Sequence, residues 1–466
     1  MRIFNRYYCG SDLVLILGDA LVSFFATLAV RAFMVMADLS LNEQWRLWTI
    51  QGIVMAAIVV ISFYYVDLYS IDQALSRREL LLRFMNGFGF ACIVIGIITY
   101  PIPELGFRTI YLSEMGLMGL CLCLWRLGFM RLLRQAPSSG KVLIVGLQSI
   151  GRLVAEQLCQ QRKVGLEVIG FVGDAAGQMT LSYGNPRKVQ IPIFAPSSLT
   201  EFVASNRVNR ILLAGAGHFP RSYNKELVAV RAMGVPIEYC HSFYERLASK
   251  IAITDLPPEW IALSEGFRRD RVILAAKRTI DILVSFVGLI LSIPLALLTA
   301  IAIKLESPGP ILYRQERVGQ NEARFTLFKF RSMAENAEDD IGPVWATKDD
   351  PRATWVGAII RKLRIDEIPQ MINVLKGEMS FVGPRPERPF FVESLKQSIP
   401  YYDLRHSVKP GITGWAQISY RYGDSEQDAI EKLQYDLYYI KHMSPIFDIQ
   451  IIFESIKVIV FGSGAR

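Results

Sequence analysis

Four apolar stretches, at about 13–30, 47–66, 84–100 and 110–130, fill the first third of the chain. Each approaches the roughly 20 residues a helix needs to cross about 30 Å of hydrocarbon. This feature restricts the fold more than any other, because inside hydrocarbon a spanning helix satisfies all its backbone groups internally. Composition agrees: 52% of the 466 residues are hydrophobic and the mean hydropathy is +0.28, too apolar for an ordinary soluble enzyme. The polar interruptions Asp19, Glu114 and Arg126 are expected to face a bundle interior or an interface, since charge is costly in lipid. Arg2 and Arg6, then Arg77, Arg78 and Arg83, then Arg131, Arg134 and Lys141 mark their segments as cytoplasmic by the positive-inside rule, despite Arg31, Arg46 and Arg108 on the other side. Everything after residue 135 is then expected in the cytoplasm. The basic start and first apolar run lack a convincing small-residue cleavage site, so they read as a retained membrane anchor.

Lys and Arg number 51 against 43 Asp and Glu, a net charge of +8 that suits either nucleic acid or anionic lipid. The positive charge clusters beside apolar segments, which points to lipid. Cys9, Cys92, Cys121, Cys123, Cys159 and Cys240 have no zinc-like pairing and read as reduced and structural. His218, His241, His406 and His442 are scattered without metal-ligand spacing.

A linker, "QAPSSGK", leads into "KVLIVGLQSIGRLVAEQL", which reads as a β-branched strand, a glycine turn and an amphipathic helix. Later strands, "EVIGFVGD", "RILLAG" and "VPIEY", alternate with helices, so residues 140–250 predict an open α/β sheet. The turn carries Gln148 where a dinucleotide fingerprint needs the glycine that lets backbone approach a pyrophosphate. The sheet therefore reads as a structural or regulatory domain without NAD, the alternatives being a site for another small ligand and, last, NAD.

A fifth apolar run, at about 282–303, is long enough to span but carries Pro294 near its middle, with Ser292 two residues before it. Proline removes a helix hydrogen bond and kinks or breaks the helix. Arg268, Arg269, Arg271, Lys277 and Arg278 flank the run on one side, and Lys304, Arg314 and Arg317 on the other. Basic residues at both ends predict a re-entrant helix-break-helix hairpin that enters and leaves one leaflet, with Ser292 helping to satisfy the freed carbonyls. The alternative is a kinked full crossing.

From Ser307 onward the sequence turns loop-rich and charged. In "RKLRIDEIPQMINVLKGEMSFVGPRPERP" the adjacent carboxylates Asp366 and Glu367 follow Arg361, Lys362 and Arg364, and Arg385 is fenced by prolines. A lone Asp-Glu pair is usually a solvated helix face. Here the surrounding cations and the nearby membrane element make it a candidate site. Carboxylates amid cations are expected to have depressed pKa values and to stay ionised, as a nucleophile or a Mg²⁺ ligand must. Arginine beside them suits phosphate oxygens. The pattern implies phosphoryl chemistry on a substrate held at the bilayer surface.

Five strings in order, "SPGPILYRQERVG", "FKFRSM", "RIDEIPQMINVLKGEMSFVGPRPE", "RHSVKPGITGWAQ" and "LQYDLYYIKHMSP", make residues 268–466 closely similar to the bacterial sugar transferase family. These are the monotopic phosphoglycosyl transferases. The four preceding apolar stretches and α/β segment resemble its large polyprenyl glycosylphosphotransferase branch, which initiates exopolysaccharide or capsule synthesis. The resemblance implies that Asp366 is the nucleophile on the β-phosphorus of a UDP-sugar, releasing UMP and leaving a covalent acyl phosphate that undecaprenyl phosphate then attacks. It implies Glu367 as the Mg²⁺ ligand, Arg361 and Arg385 as phosphate-binding residues, and Asp436 as an auxiliary acid or a structural salt-bridge partner. "KPGITGW", from Lys409 to Trp415, reads as a Pro-Gly turn by itself and as a segment near the active site by resemblance. One departure is that Ile293 separates Ser292 from Pro294, where many relatives place Ser directly before proline.

The expected architecture is a mixed membrane protein: a four-helix transmembrane bundle over 1–135, a Rossmann-like α/β domain over 136–255, a linker and re-entrant membrane helix over 256–306, and a helix-rich monotopic catalytic domain over 307–466. The expected partners are a UDP-sugar (UDP-glucose or UDP-galactose before N-acetylated sugars), undecaprenyl phosphate, membrane lipid and a second copy in a homodimer, with no nucleic acid. The cofactor is Mg²⁺ and the location the bacterial inner membrane, catalytic domain on the cytoplasmic face. The C-terminal run "SPIFDIQIIFESIKVIVFG" is expected to lie in the interface as an amphipathic helix, with core packing as the alternative. Two competing functions are a membrane-tethered NAD-dependent sugar-nucleotide dehydratase and a non-catalytic polysaccharide-assembly scaffold. The dehydratase would need the glycine that Gln148 replaces.

Overall fold

The computed structural model describes residues 2–3, 6–7, 10–36, 45–66, 68–69, 77–99, 107–135, 140–160, 166–183, 187–215, 221–267, 270–334, 351–420, 423 and 425–461. The expectations placed on Cys9, His218, Arg268 and Arg269 fall outside these residues. The chain divides into two compact units: residues 1–147, 155–212 and 219–237 form one, and 148–154, 213–218 and 238–466 the other.

In the first unit a short antiparallel pair, β1 (Arg2–Ile3) and β2 (Arg6–Tyr7), precedes four long helices: α1 (Gly10–Met36), α2 (Trp45–Tyr65), α3 (Arg77–Thr99) and α4 (Phe107–Gln135). Each is long and apolar enough to cross a membrane. Helix α1 packs against α2 and α4, and α2 against α3, around Leu15, Met55, Val59, Phe63, Ile95, Met118 and Leu122. Leu17, Phe25, Ile53, Ile97 and Leu112 stay exposed, as helix faces turned to lipid would. The polar interruptions lie inside, as expected. Asp19, Ser23, Thr27 and Arg31 recur every fourth residue along one buried face of α1. Asp19 pairs with Arg126, and Arg31 Nε lies 2.6 Å from Glu114 Oε1, so ion pairs join α1 to α4 near both ends.

The sheet that follows holds β3 (Gly140–Val145), β4 (Leu166–Val172), β5 (Gly177–Tyr183), β6 (Arg187–Phe194), β7 (Arg210–Leu213) and β8 (Ile237–Tyr239) in the order β5-β6-β4-β3-β7-β8. Strand β4 runs parallel to β3 and β6, and β5 is antiparallel to β6. Helices α5 (Ser149–Gln160), α6 (Leu199–Asn206) and α7 (Arg221–Ala232) alternate with the strands. The buried run Val142, Leu143, Ile144 and Val145 is the continuous apolar pattern of a strand covered on both faces.

The longest stretch of the second unit, 238–466, opens with α8 (Cys240–Ala248) and α9 (Pro258–Leu263). Ile251, Ile253 and Leu256 pack with Val382, Leu437, Tyr438, Tyr439, Phe447 and Ile451 in its core. It continues through α10 (Arg271–Glu306), an antiparallel hairpin of β9 (Leu312–Val318) and β10 (Arg324–Phe330), α11 (Trp355–Lys362), a 3₁₀ turn at Ile365–Glu367, α12 (Gln370–Lys376), β11 (Ser380–Val382), α13 (Pro389–Ser398), a 3₁₀ helix at Tyr402–Ser407, β12 (Gly411–Thr413), α14 (Trp415–Ser419), α15 (Glu426–Lys441) and α16 (Pro445–Phe461). "KPGITGW" is not a tight turn: Gly411–Thr413 forms β12, parallel to β11, with Ser380 opposite Gly411 and Val382 opposite Thr413.

Helix α10 is one element through Pro294, so the proline does not divide it. The Ser292 hydroxyl donates to the Leu289 carbonyl at 3.0 Å, one residue short of the Ile290 carbonyl that proline leaves without its usual donor. Both ends of α10 are fastened within the same unit. Lys277 Nζ donates to the Val382 carbonyl at 2.8 Å, and Glu306 Oε1 accepts from the Val356 amide at 2.9 Å. Between them Asp281, Ser285, Thr299 and Ile303 are buried, while Leu283, Phe286, Leu291, Leu297 and Leu298 are exposed. Helix α16 turns its polarity inward: Asp448, Gln450, Glu454 and Lys457 are buried, whereas Ile446, Ile449 and Ile456 face outward.

Candidate active site

Helix α11 starts at Thr354, whose hydroxyl accepts from the Gly357 amide at 3.0 Å, and stops at Leu363. Arg364 then adopts a left-handed conformation, φ 58°, which turns the chain into the 3₁₀ turn carrying Asp366 and Glu367. Both carboxylates are buried, at 6% and 7% exposure, so they are not a solvated helix face.

Three cations converge on one oxygen. Glu367 Oε1 lies 2.8 Å from Arg385 Nη2, 3.2 Å from Arg364 Nη1 and 3.7 Å from Lys329 Nζ. Each arrives from a different element: Arg385 from the loop after β11, Arg364 from the turn itself, and Lys329 from β10. Burial pushes the Glu367 carboxyl up, but the charges of Arg385, Lys329 and Arg364 and the hydrogen bond from Arg385 outweigh it and hold the group well below the usual carboxylate range. Lys329 is pulled below the ordinary lysine range by burial, which outweighs the attraction of Glu367.

Asp366 differs from expectation. Burial, reinforced by the neighbouring Glu367 charge, pushes its carboxyl above the usual range against Lys329, Arg385 and Arg364. The sequence places cations beside both acids, but the fold gives them to Glu367. Among the described residues Asp366 makes no hydrogen bond and no ion pair.

The segment bearing Arg385 is held from two sides. Arg405 Nη2 donates to the Arg385 carbonyl at 2.9 Å and lies 3.0 Å from Asp436 Oδ2, while its Nη1 donates to the Tyr402 hydroxyl at 2.6 Å. Arg317 Nη1 donates to the Pro386 carbonyl at 3.0 Å. Asp436 therefore stands behind the carboxylates as the counter-ion of Arg405. Its carboxyl is pushed up to about 6 by burial, against the pull of Arg405. Arg361 is half-buried in the last turn of α11, and from this stretch it is Arg364 that reaches Glu367. The sequence marks Arg364 only as one of the cations beside the carboxylates, and gives Lys329, Arg405 and Arg317 no place in the site. All four sit inside the quoted strings, but their convergence depends on pairings far apart in the chain.

The description "bacterial sugar transferase" belongs to the family whose profile matches residues 272–462. A UDP-glucose:undecaprenyl-phosphate glucose-1-phosphate transferase of Xanthomonas campestris pv. campestris is 32% identical over 338 residues, 70% of this chain and 68% of that protein. The chain belongs to the bacterial sugar transferase family. A UDP-N-acetylgalactosamine-undecaprenyl-phosphate N-acetylgalactosaminephosphotransferase of Aeromonas hydrophila is 42% identical over 232 residues, 50% of this chain. That match spans about half of the Aeromonas protein, 54% of its length. A UDP-glucose:undecaprenyl-phosphate glucose-1-phosphate transferase of Escherichia coli (strain K12) is 46% identical over 181 residues, 38% of either chain. The whole constellation, from Arg317 and Lys329 to Asp436, lies within the residues that match the bacterial sugar transferase family.

Proposed function

We propose that this protein transfers a sugar-1-phosphate from a UDP-sugar to undecaprenyl phosphate, releasing UMP, as the first membrane step of an exopolysaccharide or capsule. One observation carries the reading: a buried carboxylate with no side-chain hydrogen-bond partner among the described residues, Asp366, adjoins a second, Glu367, fastened by three cations. Family membership and the names of the relatives point the same way.

The chemistry follows from the division of labour between the two acids. Burial strips water from Asp366 and leaves its lone pairs free to attack phosphorus. An Asp366 oxygen bonds to the β-phosphorus of the UDP-sugar, the bond to the bridging oxygen breaks, and UMP leaves with that oxygen. The phosphate oxygen of the polyprenyl acceptor then attacks the same phosphorus. The acyl-phosphate bond breaks, Asp366 is regenerated, and the sugar diphosphate lipid departs. Arg385, Lys329 and Arg364 bring positive charge to the place where two anions must meet, and hold it there without reorganisation. Asp436 and Arg405 act behind them by fixing the main chain at Arg385.

The donor set fits Mg²⁺ only in its water-rich mode, in which one or two carboxylates and substrate phosphates hold the ion. Among the described residues no cluster of three or more acids, histidines or cysteines could form an all-protein cage, and Glu367 Oε1 is already taken by cations. Glu367 would hold the ion together with the diphosphate. When bound, Mg²⁺ would neutralise charge on the diphosphate oxygens.

The membrane geometry supports a lipid acceptor. Helix α10 is anchored at both ends in one unit and exposes apolar residues between them, and α16 turns isoleucines outward and charge inward. Such surfaces suit hydrocarbon, and a bend at Pro294 would let the undivided α10 enter and leave the cytoplasmic leaflet of the inner membrane as a re-entrant element. The test is UMP release with Mg²⁺ and undecaprenyl phosphate from a panel containing UDP-glucose, UDP-galactose and UDP-N-acetylgalactosamine. Turnover with one donor that vanishes in Asp366→Asn is expected. Undiminished turnover in that variant overturns the nucleophile, and silence of folded wild type across the panel overturns the function.

A further inference from the structure

Lys409 stands out among the cations of the second unit. It is half-buried, yet its ammonium makes no hydrogen bond or ion pair among the described residues. The acids and bases around it are committed elsewhere. Asp281 Oδ1 accepts from the Ser380 hydroxyl at 2.9 Å and the Phe381 amide at 2.8 Å, and Lys277 Nζ lies 2.8 Å from Asp448 Oδ2. Burial, with Arg278 and Lys277 nearby, pulls Lys409 below the ordinary lysine range against Asp281.

A second cation is aimed at the same place. Arg278 Nη1 and Nη2 donate to the Val374 and Leu375 carbonyls at 2.6 and 2.9 Å, which fixes the guanidinium at the C-terminal end of α12. Capping α12 accounts for Arg278 but not for Lys409 beside it. At Gly377, where the chain is left-handed with φ 87°, a Cβ would lie 3.6 Å from both Lys409 Nζ and Arg278 Nη2, with nothing closer. Both positive groups thus lie within van der Waals reach of one point beside Gly377. That spot borders apolar surface: Leu274 and Ile282, one turn either side of Arg278, are 40% and 41% exposed, and Ile372 on α12 is 39% exposed. It also lies beside the active-site segment. A Cβ at Gly383 would be 2.5 Å from the Lys409 carbonyl, and the Gly411 amide donates to the Pro384 carbonyl at 2.9 Å, next to Arg385.

We propose that Lys409 and Arg278 form a binding site for the phosphate of the prenyl acceptor lipid, with its chain lying along the exposed apolar face of α10. The inference rests on the transfer function above and adds the place where the second substrate waits. An ammonium with unfilled donor capacity and a guanidinium with three N–H groups to spare suit a phosphate monoester. Apolar surface at the rim distinguishes a lipid from a soluble anion.

The test is equilibrium binding of farnesyl phosphate to the full chain in phosphatidylcholine nanodiscs, with wild type beside Lys409→Gln and Lys409→Arg. Losing a contact to a charged group is expected to weaken binding about tenfold or more in Lys409→Gln, with most of it restored in Lys409→Arg. In turnover, the same Lys409→Gln change is expected to raise KM for undecaprenyl phosphate by a similar factor and KM for the UDP-sugar less than twofold. Equal farnesyl phosphate binding by wild type and Lys409→Gln overturns the site. Inorganic phosphate competing as strongly as farnesyl phosphate overturns the lipid assignment, and phosphatidylglycerol displacing it at equal concentration overturns the acceptor in favour of bulk phospholipid. Binding needs no turnover, so a wild type that binds through Lys409 but releases no UMP refutes the transfer function alone.

Discussion

Replacing Lys277 by Met would test how α10 is attached to the site. Lys277 Nζ contacts Asp448 Oδ2 and the Val382 carbonyl, each at 2.8 Å, and the Tyr439 hydroxyl at 3.0 Å. Tyr439 in turn donates to Asp448 Oδ1 at 2.8 Å, and Lys277, Tyr439 and Asp448 are all buried. Methionine fills the stem volume but leaves Asp448 a buried charge without its counter-ion, a loss of about 3–5 kcal/mol. At roughly 2–4 °C per kcal/mol for a unit of this size, Tm should fall by about 6–20 °C. The assay is thermal unfolding in detergent followed by size-exclusion chromatography. The double variant Lys277→Met with Asp448→Leu discriminates between causes, because replacing both members of a buried pair with apolar side chains is often neutral or better. It should recover most of the loss. A double variant no more stable than Lys277→Met would refute the buried-charge account, as would a single variant whose Tm equals that of wild type.

Gly411→Ala should destabilise strongly, because the new Cβ would sit 2.1 Å from the Gly383 amide nitrogen and 2.4 Å from the Thr413 carbonyl, backbone atoms that cannot move aside without parting β11 from β12. A loss of about 1–3 kcal/mol or more is expected in a melting experiment, against little change for Gly116→Ala, which meets nothing within 4 Å. His406 is pulled down to about 4 by burial and by Arg405 and Lys396. Its folded pKa lies below the unfolded value near 6.5, so between those values the unfolded chain binds more protons, and its contribution to stability is lost as pH falls from about 6.5 to about 4. Asp436, raised to about 6, acts with the opposite sign as pH rises from about 4 to 6, so the His406 effect is read as the difference between wild type and His406→Leu across that window. A difference that does not vary with pH would refute the assignment.

How much of this was legible in the sequence depended on how local each feature is. Helices α1 to α4 are written in length and apolarity, and Asp19 with Arg126 announces a buried face because charge has no other place in such a segment. Asp366, Glu367 and Arg385 could be picked out because they lie within 20 residues. Lys329 could not be assigned, because its reach to Glu367 depends on how β10 sits against the 3₁₀ turn. Arg364 required a left-handed φ that no residue-type rule forecasts for arginine. The raised carboxyl of Asp366 is illegible for a related reason: burial, its main cause, and the neighbouring Glu367 charge outweigh the cations, and cations counted along the chain give no measure of burial. Proline kinks or breaks a helix, and at Pro294 the one missing hydrogen bond does not end α10, which is fastened at Lys277 and at Glu306.

Helix α16 shows why composition alone leaves the environment open. Its periodic mixture of isoleucines and sparse charges reads identically whether the charges face water or the protein. The fold puts Asp448 against Lys277 and Tyr439, which obliges the opposite face, with Ile446 and Ile449, to point outward. The Lys277–Asp448 pair ties α16 to α10, and Lys277 and Tyr439 of α15 both donate to the Val382 carbonyl, three residues before Arg385. Helix α10 is therefore bonded directly to the strand that leads into Arg385, and α16 is joined to it through Lys277 and Tyr439. On the proposed function, seating the outward faces of both helices in lipid would fix the height of Arg385 above the hydrocarbon, which is what a carboxylate needs if it is to meet a soluble nucleotide on one side and a lipid phosphate on the other.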